Sequence, residues 1–183
     1  MRYHFGPGDR LTRAGPEIGP LGSGEGGPVL KAFIGTFVNK IDAKGRISVP
    51  APFRTSLQAR GLNGVALYPS LTDPCIEGCG IDRIEELVAK LEDTPLPRVQ
   101  DEAIAHLIVG GARETPFDAG GRIVLPEDFI AKAKLTDKGA FVGVGHKFQI
   151  WEPAALAKAQ DALMKRVLAE RQADRTAGKD EAR

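Results

Sequence analysis

The sequence predicts an α+β protein, mainly β, in which two related units form a pseudo-twofold β barrel with flanking helices. One short motif occurs twice in the chain, and the same order of predicted elements follows each copy. The chain also contains 22 glycines and 13 prolines in 183 residues, and only 6% of its residues are aromatic. This composition is typical of short strands joined by turns and argues against a helical bundle.

The repeated motif is Asp-Ala-x-Gly-Arg-Ile-x-x-Pro-x-x-Phe. It occupies residues 42–53 and 118–129, where Asp, Ala, Gly, Arg, Ile, Pro and Phe recur at seven of twelve positions. A unit of roughly fifty residues with short strands buries too little apolar surface to be stable alone. We therefore expect both copies to share one core. Its predicted members are Ile47, Val49, Phe53, Ile123, Leu125 and Phe129.

Local patterns predict the elements of the first copy. β-Branched and aromatic residues indicate a strand at 33–38, and Asp42 with Gly45 indicates a turn. Alternation of polar and apolar residues then predicts a return strand at 46–49, which completes a hairpin. The elements that follow are a helix at 53–59, strands at 64–68 and 75–78, and a helix from an Asp82 N-cap to about Leu91.

The second copy repeats this series behind a Pro-containing linker and a helix at about 99–109. Its predicted elements are a helix at 129–134, strands at 140–144 and 148–151, and a C-terminal helix from Pro153 to about Arg171. That helix has an apolar face through Leu156, Leu163 and Val167, which must be buried. The face could lie on its own subunit or on the next one.

These patterns divide the chain into five segments. Residues 1–32 are rich in Gly and Pro, and we expect them to be a disordered extension or a stretch upstream of the true start. The remaining segments are repeat 1 at 36–83, a helical linker at 84–111, repeat 2 at 112–155, and a C-terminal helix with a charged tail at 156–183.

Several runs in the two copies form a specific combination. They are Gly35-Thr36-Phe37, Asp42-x-Lys44-Gly45-Arg46-Ile47-Ser48-Val49-Pro50, Asp118-x-x-Gly121-Arg122 and Lys147-Phe148-x-Ile150-Trp151. Together they resemble the MraZ family of double AbrB/SpoVT-type regulators, over about residues 33–165. The resemblance implies tandem AbrB/SpoVT-like swapped-hairpin repeats, a ring-like homo-oligomer, and binding of double-stranded DNA at direct repeats in a promoter. In this family, that promoter usually drives the division and cell-wall gene cluster.

Basic residues are concentrated in the first copy. Residues 31–60 contain six basic side chains and one acidic one, whereas residues 112–135 contain four of each. This asymmetry favours contact between a polyanion and the first copy. We therefore expect the first hairpin to bind DNA. The second hairpin is expected to pack against a neighbouring subunit or to make weaker backbone contacts.

The predicted DNA-binding residues are Arg46, Lys44, Lys40, Arg54 and Arg122. Arg46 follows the turn glycine, and an arginine on a two-stranded ribbon in the major groove can donate two parallel bonds to guanine O6 and N7. Lys44, at the tip of the turn, suits a phosphate as a flexible point charge. Gly120 replaces it in the second copy.

A simpler interpretation of the arginines is an ion pair within each turn, Asp42 with Arg46 and Asp118 with Arg122. We give this pair even weight with DNA contact for Arg122 and rank it well behind DNA contact for Arg46, because of its basic surroundings. Lys40, Arg54 and Arg60 could also form no more than a solvated face. Of these three, we favour Lys40 and Arg54 as phosphate contacts.

We expect no catalytic residues, metal, cofactor or small-molecule substrate. Cys75 and Cys79 would need two further zinc ligands, and no histidines stand at a paired spacing, so packing explains both thiols better. No apolar run reaches the roughly 20 residues of a membrane span. We expect a cytoplasmic, nucleoid-associated protein.

The function predicted from the sequence is a DNA-binding transcriptional regulator that works as an oligomer. The alternative is a DNA-free interaction module, such as the antitoxin-like partner of another protein. An enzyme ranks last, because no nucleophile set, carboxylate pair or phosphate loop is present.

Overall fold

The computed structural model describes residues 32–96 and 98–180, without the side chains of residues 173–180. The strands are β1 Phe33–Lys40, β2 Arg46–Ser48, β3 Gly64–Pro69, β4 Cys75–Cys79, β5 Arg113–Pro116, β6 Arg122–Val124, β7 Lys138–Gly145 and β8 Phe148–Trp151. The helices are α1 Ala51–Gln58, α2 Ile81–Glu92, α3 Val99–Ile104 with a π-helical continuation Ala105–Val109, α4 Glu127–Lys132 and α5 Pro153–Asp180. The protein is therefore α+β, as predicted. The extension expected at 1–32 lies outside the described residues, apart from Ala32.

Six strands form one antiparallel sheet in the order β1-β7-β8-β4-β3-β5. Strands β1 to β4 of the first copy correspond in order to β5 to β8 of the second. When each strand is replaced by its counterpart and the sheet is read from its other end, the order is unchanged. Each outer strand lies against a strand of the other copy: β1 pairs with β7, and β5 pairs with β3. Strand β5 was not predicted from the sequence, since its Arg-Glu-Thr-Pro segment contains little β-branched or aromatic character.

The two short strands β2 and β6 form a separate antiparallel pair, the β2–β6 ribbon, in which Ile47 lies directly opposite Ile123. The predicted hairpin between β1 and the return strand is therefore wrong. Backbone pairing between them is limited to an isolated bridge between Ile41 and Ile47. The eight residues of β1 pair along their whole length with the eight residues of β7, a partner that the three residues of β2 could not replace.

The predicted barrel is also wrong, because the six-stranded sheet is open. Its outermost strands are β1 and β5, and neither pairs with the other or with the ribbon. The ribbon instead forms a second layer over one face of the sheet. Two layers can enclose a core without closing the sheet on itself.

The core lies between the sheet, the ribbon and the helices α1 and α4. All six predicted core residues are at most 2% exposed. Phe53 from α1 packs edge-to-face against Phe33 at 5.1 Å and against Phe37 at 5.5 Å between ring centroids. Such edge-to-face pairs add to the stabilisation from burial. The shared core that the repeat predicts is confirmed.

Helices cover parts of the other face of the sheet. Ile84 of α2 packs with Ala66 and Tyr68. Leu156 of α5 packs against Trp151, which anchors the C-terminal helix on the sheet. No helix among the described residues is long and apolar enough to cross a bilayer.

The helices predicted at 53–59 and 129–134 are shifted by one or two residues, to Ala51–Gln58 and Glu127–Lys132. Two other helix ends also differ, each for a local reason. Helix α2 begins behind Gly80, and Asp82 lies in its first turn, where it accepts a 2.8 Å hydrogen bond from Arg60. Its carboxylate also accepts the backbone N–H of Arg83 at 2.9 Å, but Gly80 and not Asp82 occupies the N-cap position. Helix α5 continues to Asp180, past the predicted end at Arg171. Residues 172–177 contain no proline or glycine that would break it, and the helix also passes through Gly178.

Candidate nucleic-acid interface

The two turns that precede the ribbon strands have the same geometry. In the first, Asp42 Oδ1 accepts hydrogen bonds from the backbone N–H groups of Lys44 at 2.9 Å and Arg46 at 3.0 Å. In the second, Asp118 Oδ1 accepts from Gly120 at 2.8 Å and Arg122 at 2.9 Å. These are the local bonds that favour Asp at the start of a turn.

Each turn also requires its glycine. Gly45 has φ +70° and Gly121 has φ +69°, in the left-handed region that a side chain disfavours. Their amides donate to the carbonyl oxygens of Asp42 and Asp118 at 2.9 Å each. The Asp and Gly of the repeated motif are therefore explained by the turn itself.

The turns lie at opposite ends of the β2–β6 ribbon and are bonded across it. Gly45 O accepts from Leu125 N at 2.9 Å, and Gly121 O accepts from Val49 N at 3.1 Å. Each turn is thus fixed by the strand of the other copy. The ribbon and both turns form one continuous unit.

The outer face of the ribbon carries both motif arginines. Ile47 and Ile123 are buried, so alternation places Arg46, Arg122 and their neighbours on the opposite side, away from the core. Arg46 is opposite Val124 and Arg122 is opposite Ser48, which makes the arginines diagonal neighbours. Such neighbours are about 7–8 Å apart. Their side chains remain 34% and 40% exposed.

Each arginine is held by the aspartate of its own turn. Arg46 donates from Nε to Asp42 Oδ2 at 2.7 Å, and its Nη2 lies 2.7 Å from the same oxygen. Arg122 Nε donates to Asp118 Oδ2 at 2.7 Å. The Asp–Arg ion pair is therefore present in both turns. For Arg46, we had ranked this pair well behind DNA contact. It leaves donors of each guanidinium free, since arginine has five N–H groups.

The aspartates stay ionised in these pairs. Hydrogen bonds lower the pKa of both carboxyl groups below the usual range. The largest contribution comes from the backbone N–H of Arg46 at Asp42, and from the backbone N–H of Arg122 at Asp118. A carboxylate that accepts several hydrogen bonds is stabilised in its charged form. Both ion pairs are intact at neutral pH.

The two predicted lysines lie in different places. Lys44 is exposed at the tip of the first turn, next to Arg46 on the ribbon. Asn39 of β1 donates from Nδ2 to Ser48 O at 2.7 Å and so points towards the ribbon. Alternation directs the next residue, Lys40, to the other side of the strand. There it lies opposite Lys138, a basic residue that the sequence patterns did not single out.

Arg54 belongs to the first copy in sequence but contacts the second turn in space. Its Nη1 donates to Val49 O, and its side chain fills the space beside Gly121. It lines a cleft of about 530 Å³ with Asp118 and Gly120. Arg54 is therefore grouped with Arg122, and Lys44 with Arg46.

Arg60 is not part of a solvated face. Its side chain is 17% exposed, its Nη1 donates to Asp82 at 2.8 Å, and its guanidinium lies 5.7 Å from the ring centroid of Phe33. These contacts join α1 to α2 and to the core. Arg60 has a structural role.

Both cysteines are packed inside the protein, Cys79 beside α2 and Cys75 beside α5. Cys75 and Cys79 are buried free thiols, and burial raises the pKa of each to about 12. Such thiols stay protonated and are poor metal ligands. Within the described part of the chain, no group of His, Cys, Asp and Glu could hold a metal ion.

Comparisons with known proteins identify a family for this chain. Residues 108–178 match the family described as "MraZ protein, putative antitoxin-like". A protein of Rhodospirillum rubrum named "Transcriptional regulator MraZ" is 42% identical over 134 residues, 72% of this chain and 86% of the relative. The protein of the same name from Parvibaculum lavamentivorans is 42% identical, and the match covers 75% of this chain and 86% of the relative. That from Pelagibacter ubique is 44% identical, and the match covers 69% of this chain and 81% of the relative. This chain belongs to the MraZ family.

Proposed function

We propose that this protein is a transcriptional regulator that binds specific DNA sequences through the outer face of the β2–β6 ribbon. The observation that carries the proposal is the pair of exposed arginines on that face, each oriented by an aspartate. A two-stranded ribbon fits the major groove, where arginine is the commonest specific reader of guanine. The relatives named as transcriptional regulators support the same role.

In this proposal Arg46 and Arg122 contact bases, and Lys44 and Arg54 contact phosphates. Lys40, which was expected to contact a phosphate, points to the other side of β1 and lies outside this interface. Arg46 has the greater effect, since Lys44 lies beside it and Gly120 takes the place of that lysine in the second turn. The operator consists of direct repeats in the promoter of the division and cell-wall gene cluster. Binding there places the protein on the nucleoid.

A ring-like homo-oligomer would bring several ribbons to spaced repeats. One ribbon offers few contacts, and a linked set gains affinity through effective concentration. The apolar stripe of α5 supports such an assembly, because Leu163, Met164 and Leu168 are 60%, 60% and 49% exposed. Exposed apolar surface of this kind commonly marks a protein interface.

We further propose that the chain is a tandem of AbrB/SpoVT-like units with exchanged strands, at 36–83 and 112–155, joined by a linker at 84–111. The symmetric strand order, the matching turns and the pairing of each outer strand with the other copy support this. The remaining segment, 156–183, comprises most of α5 and the charged tail.

A titration of the chain's own upstream DNA at two salt concentrations tests the function. Specific binding should weaken steeply with salt, because each phosphate contact releases counterions. Arg46→Ala should reduce selectivity for the repeats by about 1–3 kcal/mol of discrimination, the contribution of one bidentate contact. Arg122→Ala should have a smaller effect. Retained selectivity in Arg46→Ala would contradict the assignment of the site.

The alternative is a DNA-free, antitoxin-like interaction module, a role consistent with the family's description as "putative antitoxin-like". This alternative predicts that a second protein copurifies in stoichiometric amount. It also predicts no salt-dependent binding of the upstream DNA. The same preparation can therefore distinguish the two functions.

A further inference from the structure

The carboxylate of each turn aspartate bonds both the backbone of its turn and the motif arginine. Asp42 Oδ1 accepts two backbone N–H groups of the turn, and Oδ2 accepts Nε of Arg46 at 2.7 Å, with Nη2 also 2.7 Å away. Asp118 likewise accepts the backbone N–H groups of Gly120 and Arg122 at Oδ1, and Nε of Arg122 at Oδ2. The carboxylate therefore fixes the arginine relative to the backbone of the ribbon.

The way in which Arg46 is held decides what it can still bind. Asp42 occupies the edge of the guanidinium formed by Nε and Nη2. The far edge, formed by Nη1 and the second hydrogen of Nη2, makes no hydrogen bond within the described residues. That edge presents two parallel donors, which is the arrangement that guanine O6 and N7 accept.

We propose that Asp42 and Asp118 are positioning residues that set the sequence selectivity of the ribbon. Each holds an arginine with its far edge directed outward before DNA arrives. An unheld arginine would lose more side-chain freedom on binding a base, and it could turn to the nearest phosphate instead. This role rests on the proposed DNA-binding function. It assigns to Asp42 and Asp118 the preference of the arginines for operator bases over the phosphates of any duplex.

The test replaces each aspartate with asparagine. Asn keeps an oxygen for the two backbone N–H groups, but it presents an NH₂ group, which cannot accept from the arginine. In Asp42→Asn, the ratio of affinities for the operator and for a scrambled duplex should fall about tenfold or more, the order of discrimination carried by one bidentate contact. Affinity for the scrambled duplex should rise, because a negative charge has been removed beside the phosphates.

These opposite shifts distinguish positioning from a merely structural role. If the aspartate only stabilised the turn, both affinities would fall together with the melting temperature. Asp118→Asn should change the ratio in the same direction. Each aspartate should also act through its own arginine, so Asp42→Asn should leave the ratio unchanged in an Arg46→Lys background.

Glu86→Gln provides a matched control. Glu86 forms a 2.7 Å ion pair with Arg83 three residues away on α2, so the variant removes the same charge from a similar local pair. Helix α2 packs on the face of the sheet that points away from the ribbon. This variant should leave the affinity ratio unchanged.

Two outcomes would overturn the inference. In the first, both Asn variants fold, and their ratio of operator affinity to scrambled-duplex affinity equals that of Glu86→Gln. The other is an equal loss of both affinities, with a lowered melting temperature. Failure of the unmodified protein to bind DNA in a salt-dependent way would instead overturn the proposed function, and it is recognised before any variant is made.

Discussion

The two turns of the ribbon have the same backbone and different surroundings. Both contain the Asp–Arg pair and a glycine with φ near +70°. The first turn carries Lys44 at its tip, whereas the second has Gly120 there and the side chain of Arg54 beside Gly121. One extra cation therefore lies at each end of the ribbon. The charge asymmetry seen along the sequence is reduced in space.

The comparison shows that copies in sequence are not the same as regions in space. Arg54 follows the first motif, yet it contacts the second turn, because α1 begins where the ribbon reaches that turn. Lys44 alone distinguishes the tip of the first turn. How much the turns differ in DNA binding can be measured with paired variants.

The largest effect is expected in the centre of the ribbon, where the two copies should be equivalent. Ile47→Ala and Ile123→Ala each remove a side chain that is at most 1% exposed. Each should lower the free energy of unfolding by about 2–5 kcal/mol, measured by denaturant titration. A difference between them larger than about 1.5 kcal/mol would contradict the equivalence of the two strands.

The turn glycines should differ more. Gly45→Ala introduces strain of about 1–2 kcal/mol, because φ +70° is left-handed. Gly121→Ala carries the same strain, and its new Cβ would also lie 2.6 Å from Arg54 Cδ. Displacing Arg54 also breaks its hydrogen bond to Val49, so Gly121→Ala should cost about 1 kcal/mol more in unfolding free energy. Equal costs would show that Arg54 moves aside freely.

Exchanging the tip residues tests what Lys44 contributes. Lys44→Gly should reduce the slope of log affinity against log salt by about 0.9, the value for one lost phosphate contact. Gly120→Lys should increase it by a similar amount. Gly120 lacks a positive φ, and a Cβ there would meet no atom nearer than 3.3 Å, so the turn accepts the new side chain. An unchanged slope in both variants would contradict phosphate contact at the tips.

The smallest effect concerns pH. Asp42 and Asp118 have lowered pKa values, so their contribution to stability is complete above the pKa of the unfolded chain and is lost as pH falls through the folded value. Between pH 8 and pH 5 the melting-temperature difference between the unmodified protein and Asp42→Asn should be constant. Towards pH 3 and below it should shrink. A change already near pH 6 would point to a different group.

The sequence predicted the elements of the fold better than their pairing. Alternation and turn residues located the strands of both motifs and the six core residues, because burial and turn geometry are local properties. Pairing depends on which partner matches a strand in length and position. Nothing local to 33–49 indicates that β1 pairs with β7, so both the hairpin and the barrel were wrong.

The site was predictable to a similar degree. The spacing of Asp42 and Arg46 indicated an ion pair, and the structure contains it. The placement of Lys40 opposite Lys138 and of Arg54 beside Gly121 follows from strand register and helix direction. Those relations span many residues in the chain, and no short motif contains them.

The exchanged pairing of β1 and β5 has a consequence for dividing the chain. A cut anywhere in residues 84–111 would leave two fragments, each lacking the partner of its own outer strand. Neither fragment could complete its half of the sheet, and each ribbon strand would lose its neighbour. The pieces would have to reassociate to regain structure. The protein is therefore suited to use as a split pair, in which recovery of the folded sheet reports that two fragments have met.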